Sequence, residues 1–161
     1  MIRNATAQDF DFIFGLYMHP EINPYLLYEP MEKIEFKPIF DELLANGVLY
    51  VFSVDGIDCG MFKLIQLQHR TSHIAYLGGV AISTEMKGKG LGSRMFEEIL
   101  AFAKEQKIKR VELSVATHNH RAIKLYEKSG FQREGILRQY TYLRQEDRYI
   151  DEQLMACLLN D

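Results

Sequence analysis

VAISTEMKGKGLGSRMFEEILAFAKEQ, residues 80–106, joins an apolar run to an amphipathic segment through glycines at alternate positions, Gly88, Gly90 and Gly92. Leu91, Met95, Ile99, Phe102 and Ala103 recur near a period of 3.6, with Arg94, Glu97, Glu98, Lys104 and Glu105 on the other faces. That spacing predicts a helix lying on a sheet. A strand that feeds a helix through glycines leaves backbone N–H groups unpaired at the positive end of the helix dipole. Such a start is an anion site, usually for phosphate, and glycine lets the backbone approach the anion closely at positive φ. Lys87 and Lys89 add charge. The spacing fits neither the P-loop pattern G-x-x-x-x-G-K-[ST] nor the dinucleotide pattern G-x-G-x-x-G, because these glycines give G-x-G-x-G.

On the N-terminal side, MIRNA reads as a short strand, and Thr6 with Asp9 resembles a capping pair for a helix over about 7–18. Pro20, Pro24 and Pro30 keep the next stretch from forming one regular helix, and a second helix is expected within 31–45. VLYVFSV and GMFKLIQLQ flank Asp55-Gly56, a hairpin signal. HIAYLGGVAIS is the next strand. After the helix, RVELSVAT is a strand and NHRAIKLYEKSG a short helix, with Asn119 near its start and Gly130 as its stop. FQREGILRQYTYL and RYIDEQLMACLL close the chain as two strands joined near RQED. The order predicts an α/β fold: a mixed central β-sheet of about seven strands with flanking helices.

The 161 residues suit a single domain over 1–161. A formal charge of −3, with no basic stripe, argues against a nucleic-acid partner. No apolar run approaches the ~18 residues of a membrane span, and the N-terminus carries no hydrophobic signal segment. Cys59 and Cys157 lie in apolar runs without a CxxC pattern or histidine partners, which favours two buried thiols over a disulfide or zinc site. A cytoplasmic protein with no membrane partner is expected.

One phosphate carrier left for the glycine turn is the pyrophosphate of coenzyme A. VAISTEMKGKGLGSRM resembles the signature of the GNAT superfamily of acyl-CoA-dependent N-acyltransferases, [Gln/Arg]-x-x-G-x-[Gly/Ala], with Lys87 at the Gln/Arg position and Gly90 and Gly92 matching. NHRAIKLYEKSGF resembles a second family segment, N-x-x-A-x-x-x-Y-x-x-x-G-F, through Asn119, Ala122, Tyr126, Gly130 and Phe131. The C-terminal stretch is most similar to small bacterial enzymes that acetylate amino acids or protein N-termini.

The resemblance implies a GNAT fold and acetyl-CoA as co-substrate, with no metal. By position, the backbone of Val80, Ala81 and Ile82 would pair with the pantetheine arm. Lys87, Gly88, Lys89, Gly90, Leu91, Gly92 and Ser93 would hold the pyrophosphate. Asn119 would be a cofactor contact, and Tyr126 both a cofactor contact and the acid that protonates the departing thiolate. Asn119 and Tyr126, seven apart, are expected on one helix face. The reaction would be direct attack of a neutral amine on the thioester, with strand N–H groups near Ile82 bearing the oxyanion.

Many relatives place a carboxylate base on one of two central strands, where this chain aligns Tyr76 and Ser114. His73, Glu29, Glu112 or a water chain then stand as candidate bases. Freeing a lysine-like amine of pKa ~10.4 at pH 7 costs about 4.6 kcal/mol, against about 1.1 kcal/mol for an α-amine near ~7.8. A small-molecule amine or a peptide N-terminus is the expected acceptor, and specifically an α-amine, of an amino acid or a peptide N-terminus, rather than a lysine side chain. Acetylation of an amino sugar, polyamine or antibiotic is the alternative, as is a non-catalytic acyl-CoA-binding module. MHPEINPYLLYEP and the last hairpin, with Tyr140, Tyr142, Arg144 and Arg148, are candidate pocket walls, an arginine there suiting a substrate carboxylate. A monomer or a homodimer is compatible with the sequence.

Overall fold

The computed structural model describes residues 1–160. Its strands are β1 (Ile2–Asn4), β2 (Leu49–Val54), β3 (Ile57–Gln66), β4 (Ile74–Ile82), β5 (Arg110–Ala116), β6 (Gln132–Leu143) and β7 (Arg148–Leu158). They form one sheet in the order β1-β2-β3-β4-β5-β7-β6, parallel where β4 meets β5 and antiparallel at β1/β2, β2/β3, β5/β7 and β6/β7. Four α-helices accompany it: α1 (Phe10–Tyr17), α2 (Lys33–Ala45), α3 (Leu91–Glu105) and α4 (His120–Lys128). The mixed seven-stranded sheet expected from the sequence is therefore present. Two compact units make up the chain, one of Met1–Ile65 with Leu77–Glu98, the other of Gln66–Tyr76 with the chain from Ile99 onward.

The first unit is organised by aromatic packing. Ile13, Leu16 and Tyr17 of α1 fall at helical spacing and are buried with Phe36 and Phe40 of α2, against Leu49, Val51 and Met61 of the sheet. Phe10 meets Phe40 edge-on at 5.2 Å between ring centroids. The expected helix over 7–18 is divided: Ala7–Asp9 is a 3₁₀ turn and α1 starts at Phe10. Asp9 is the reason, since its carboxylate takes the Thr6 N–H at 2.7 Å and a two-pronged bond from Arg3 of β1 at 2.8 and 2.9 Å. Asp55 and Gly56 adopt positive φ, +52° and +79°, the conformation of a two-residue hairpin turn. Pro38 lies inside α2, where it removes one backbone hydrogen bond without ending the helix.

In the second unit β5 alternates strictly: Val111, Leu113 and Val115 are buried, and Arg110, Glu112, Ser114 and Ala116 are half-buried. The buried set forms one face, and the half-buried set presents polar side chains on the other. β6 and β7 form a long hairpin closed by Arg144–Glu146 and by Asp147 at φ +46°. The hairpin register slips between Leu137 and Thr141, where Gln139 takes positive φ and its N–H bonds Asp151 Oδ1 at 2.8 Å.

Candidate active site

In the first unit, β4 runs through Val80, Ala81 and Ile82 into the glycine turn. Ala81 is buried, while Val80 and Ile82 are half-buried. Gly88 and Gly90 stand at φ +78° and +71° with open space where a Cβ would be. Glycine is needed here for backbone conformation, not because a neighbour crowds it. The first helical hydrogen bond of α3 runs from Arg94 N–H to Gly90 O at 3.3 Å. The amides of Leu91, Gly92 and Ser93 therefore precede the hydrogen-bonded ladder at the positive end of a 15-residue helix. This donor set fits a pyrophosphate. Lys87 is tied to Glu21 at 2.7 Å with both side chains exposed, and the carboxyl of Glu21 is held below its usual range by that hydrogen bond first. A phosphate on the turn has to compete with this weak surface pair.

The second unit carries Asn119 and Tyr126 on α4. Asn119 stands outside the helix as its N-cap, and its Oδ1 accepts the Ala122 N–H at 3.3 Å. Asn119 thus precedes the helix that carries Tyr126, and its amide oxygen turns back onto the helix start. At the other end, Gly130 N–H bonds Glu127 O at 3.1 Å and Phe131 N–H bonds Tyr126 O at 3.0 Å, with Gly130 at φ +99°. These are the two bonds of a Schellman stop, and the Tyr126 and Phe131 rings supply its apolar contact at 6.1 Å. The spacing of Asn119, Ala122, Tyr126, Gly130 and Phe131 is thus the punctuation of one short helix. Tyr126 is held by its own helix end.

Burial first, and then the Tyr76 phenol, push the pKa of Tyr126 up to about 12, so it keeps its proton at neutral pH. Tyr76 is itself raised, chiefly by burial. Its hydroxyl shares a hydrogen bond of 3.4 Å with Ser114 Oγ. Tyr76 and Ser114, the positions where a carboxylate base was expected, are therefore brought together as a hydroxyl pair. The strand registers extend this face. Tyr76 lies opposite Glu112, Ser114 opposite Leu154, and Ala116 opposite Glu152, so Tyr76, Ser114 and Glu152 share one side of the sheet. Thr141 Oγ1 donates to Glu152 Oε2. Glu152 escaped the sequence reading because only the β5/β7 register aligns it with Ser114.

Of the other base candidates, Glu112 accepts from Arg110 Nε at 3.0 Å, and Arg110 also grips Glu134 with two bonds. His73 is exposed. In the hairpin, Tyr142 donates to Asp147 at 2.7 Å and Arg148 pairs with Glu146, so both are engaged locally. Among the described residues no group of three or more His, Cys, Asp or Glu side chains is placed to hold a metal ion. Cys59 and Cys157 are free and buried, and no helix among those residues is long and apolar enough to cross a membrane.

The family model described as Acetyltransferase (GNAT) family matches residues 10–131. An L-amino acid N-acetyltransferase of Escherichia coli (strain K12) is 28% identical over 165 residues, covering 97% of this chain and 96% of that protein. Among solved structures, spermidine N-acetyltransferase from Vibrio cholerae in complex with CoA and spermine superposes with a TM-score of 0.85 at 24% identity, over 98% of this chain and 94% of the other. A ribosomal-protein-alanine N-acetyltransferase from Brucella melitensis gives 0.80 at 20% identity, over 99% of both. At these identities the two structures speak for the fold.

Proposed function

The chain belongs to the GNAT acetyltransferase family and is an acetyl-CoA-dependent N-acetyltransferase, and from that premise we propose that its acceptor is an α-amine, of a free amino acid or of a peptide N-terminus. The observation that carries this reading is the Tyr76–Ser114 hydroxyl pair. Two hydroxyls are poor proton acceptors, so the acceptor has to be an amine that loses its proton cheaply. An α-ammonium near ~7.8 meets that condition, and a lysine-like ammonium near ~10.4 does not.

Within this reading, acetyl-CoA supplies an acetyl group already activated as a thioester. The amides of Gly88, Gly90, Leu91, Gly92 and Ser93, with Lys87 and Lys89, hold its pyrophosphate. The backbone of Val80, Ala81 and Ile82 aligns the pantetheine arm, and an N–H near Ile82 receives the developing oxyanion. Tyr126 donates to the departing sulfur. The acceptor's proton leaves to water, since the hydroxyl pair is no base; Glu152, which accepts from Thr141, lies on the same face. Asn119 can offer its amide NH₂ to the cofactor while its oxygen caps α4. An enzyme of the cytoplasm is in keeping with two buried, unpaired thiols.

The test is release of free CoA thiol from acetyl-CoA against L-amino acids, peptides with open or blocked N-termini, polyamines and aminoglycosides. Turnover of L-amino acids and of peptides with open N-termini alone is expected. Turnover confined to polyamines or to lysine side chains would overturn the α-amine reading.

A further inference from the structure

Lys63 lies in the middle of β3, opposite Leu49 in the β2/β3 register, and is 6% exposed. It continues the face of Met61, which packs in the aromatic core. An ammonium taken this far from water normally has a carboxylate partner. Among the described residues none lies within ion-pair distance of Lys63. What it has is Tyr28: its Nζ is 3.5 Å from the phenol oxygen and 5.1 Å from the ring centroid. The Tyr28 phenol is raised by burial, and Glu42 acts on it in the same direction. Burial also lowers the pKa of Lys63.

Next to it is a second anomaly. The Tyr17 hydroxyl is fully buried and, among the described residues, has no hydrogen-bond partner. Tyr17 meets Tyr28 edge-on at 5.1 Å. Both Tyr17 and Lys63 lie against Gly79 of β4, which stands at φ +58°: a Cβ there would be 2.7 Å from the Tyr17 hydroxyl and 3.3 Å from Lys63 Cε. A bare glycine thus leaves room for an ammonium whose acceptor is a phenol oxygen at 3.5 Å and for a second phenol that, among the described residues, has none. Leaving such donors unsatisfied costs stability that a purely structural arrangement has no reason to give up.

We propose that Lys63 and Tyr17 form a carboxylate subsite beside Gly79, and that the acceptor is a free α-amino acid held there by its carboxylate. This rests on the reading of the chain as an α-amine acetyltransferase. Gly79 immediately precedes Val80, Ala81 and Ile82, the residues assigned to the pantetheine arm. The pyrophosphate turn lies downstream on the same strand path, so the reactive end of the co-substrate falls toward Gly79. One carboxylate oxygen accepts from the Lys63 ammonium and the other from the Tyr17 hydroxyl. A polyamine brings a second cation to Lys63 and is rejected, and a peptide N-terminus brings a neutral amide and leaves the ammonium unpaired.

The experiment compares a panel of L-amino acids with their carboxamides, in wild type, Lys63→Met and Tyr17→Phe, by thiol release. Binding of acetyl-CoA to each variant by calorimetry reports on folding. Binding of the N-acetyl-L-amino acids and their amides reads the subsite without turnover. Wild type is expected to favour acid over amide at least tenfold in kcat/KM, and both variants to bring that ratio toward one, mainly through KM for the acid. N-acetyl amino acids should bind wild type at least tenfold more tightly than their amides, with the difference lost in Lys63→Met. Equal use of acids and amides by wild type overturns the subsite and leaves the α-amine reading standing. Loss of kcat on acid and amide alike in Lys63→Met overturns it too, because Lys63 would then be handling a proton. Turnover of polyamines alone, with no binding of N-acetyl amino acids, removes both readings.

Discussion

Tyr126 illustrates how environment sets what one side chain can do. With its pKa pushed to about 12, it is protonated throughout the working range. A thiolate near ~8.5 is too weak a base to take that proton outright, a transfer uphill by about 5 kcal/mol. In the proposed mechanism Tyr126 therefore acts as a hydrogen-bond donor to sulfur as charge develops. Tyr126→Phe should lower kcat about 10²-fold, with acetyl-CoA affinity unchanged by calorimetry; unchanged turnover would remove it from the chemistry. The same pKa has a pH signature. kcat/KM should rise with pH as the acceptor's α-amine near ~7.8 loses its proton, with no alkaline fall from Tyr126 up to pH 10. Tyr17 makes the converse prediction about stability. Because its hydroxyl is buried without a partner among the described residues, Tyr17→Phe should raise unfolding free energy by about 1 kcal/mol in urea titration, while impairing amino-acid use.

At the scale of elements, both α4 and the start of α1 are defined by their ends. Gly130 at φ +99° has only Cys157 Sγ, at 3.5 Å, near the position of an added Cβ. The cost of Gly130→Ala is therefore backbone strain, about 1–2 kcal/mol. It should also lower kcat, since the same stop positions Tyr126. The Arg3–Asp9 clamp ties β1 to the first turn before α1. Arg3, through a side-chain hydrogen bond, is the largest influence holding the Asp9 carboxyl below its usual range. Its stabilisation is complete above the ordinary carboxylate pKa and lost as pH falls through the lowered folded value. Asp9→Asn should cost about 2 kcal/mol at pH 7, and the difference from wild type should shrink below pH ~4.

For the whole molecule, thiol chemistry is the accessible test. Cys59 and Cys157 are both buried, and burial raises the Cys157 thiol. Native protein should show no reaction with a disulfide reagent at pH 8 over minutes and should release two equivalents once unfolded. Rapid labelling of the folded chain would contradict the burial. The same result makes thiol release a clean assay for this enzyme, because the protein contributes no background.

Local chemistry carried much of this protein. The glycine turn and its helix, the Asp55-Gly56 hairpin and the caps of α4 were legible because each depends on residues a few positions apart. The proposed anion site is local for the same reason: it is one helix start and the turn before it. Pairings across the sheet were not legible in this way. Lys63 stood in plain view as a charge within GMFKLIQ, but its lack of a carboxylate, and the Tyr17 hydroxyl and Gly79 beside it, depend on α1, β3 and β4 meeting. Glu152 joins Ser114 and Tyr76 only through the β4/β5 and β5/β7 registers, which no alternation rule within one strand supplies. Sequence determines the elements that local hydrogen bonds close. Side chains from distant strands converge only when packing and register bring them together, and that convergence decided where a carboxylate, a hydroxyl pair and an unpaired ammonium stand.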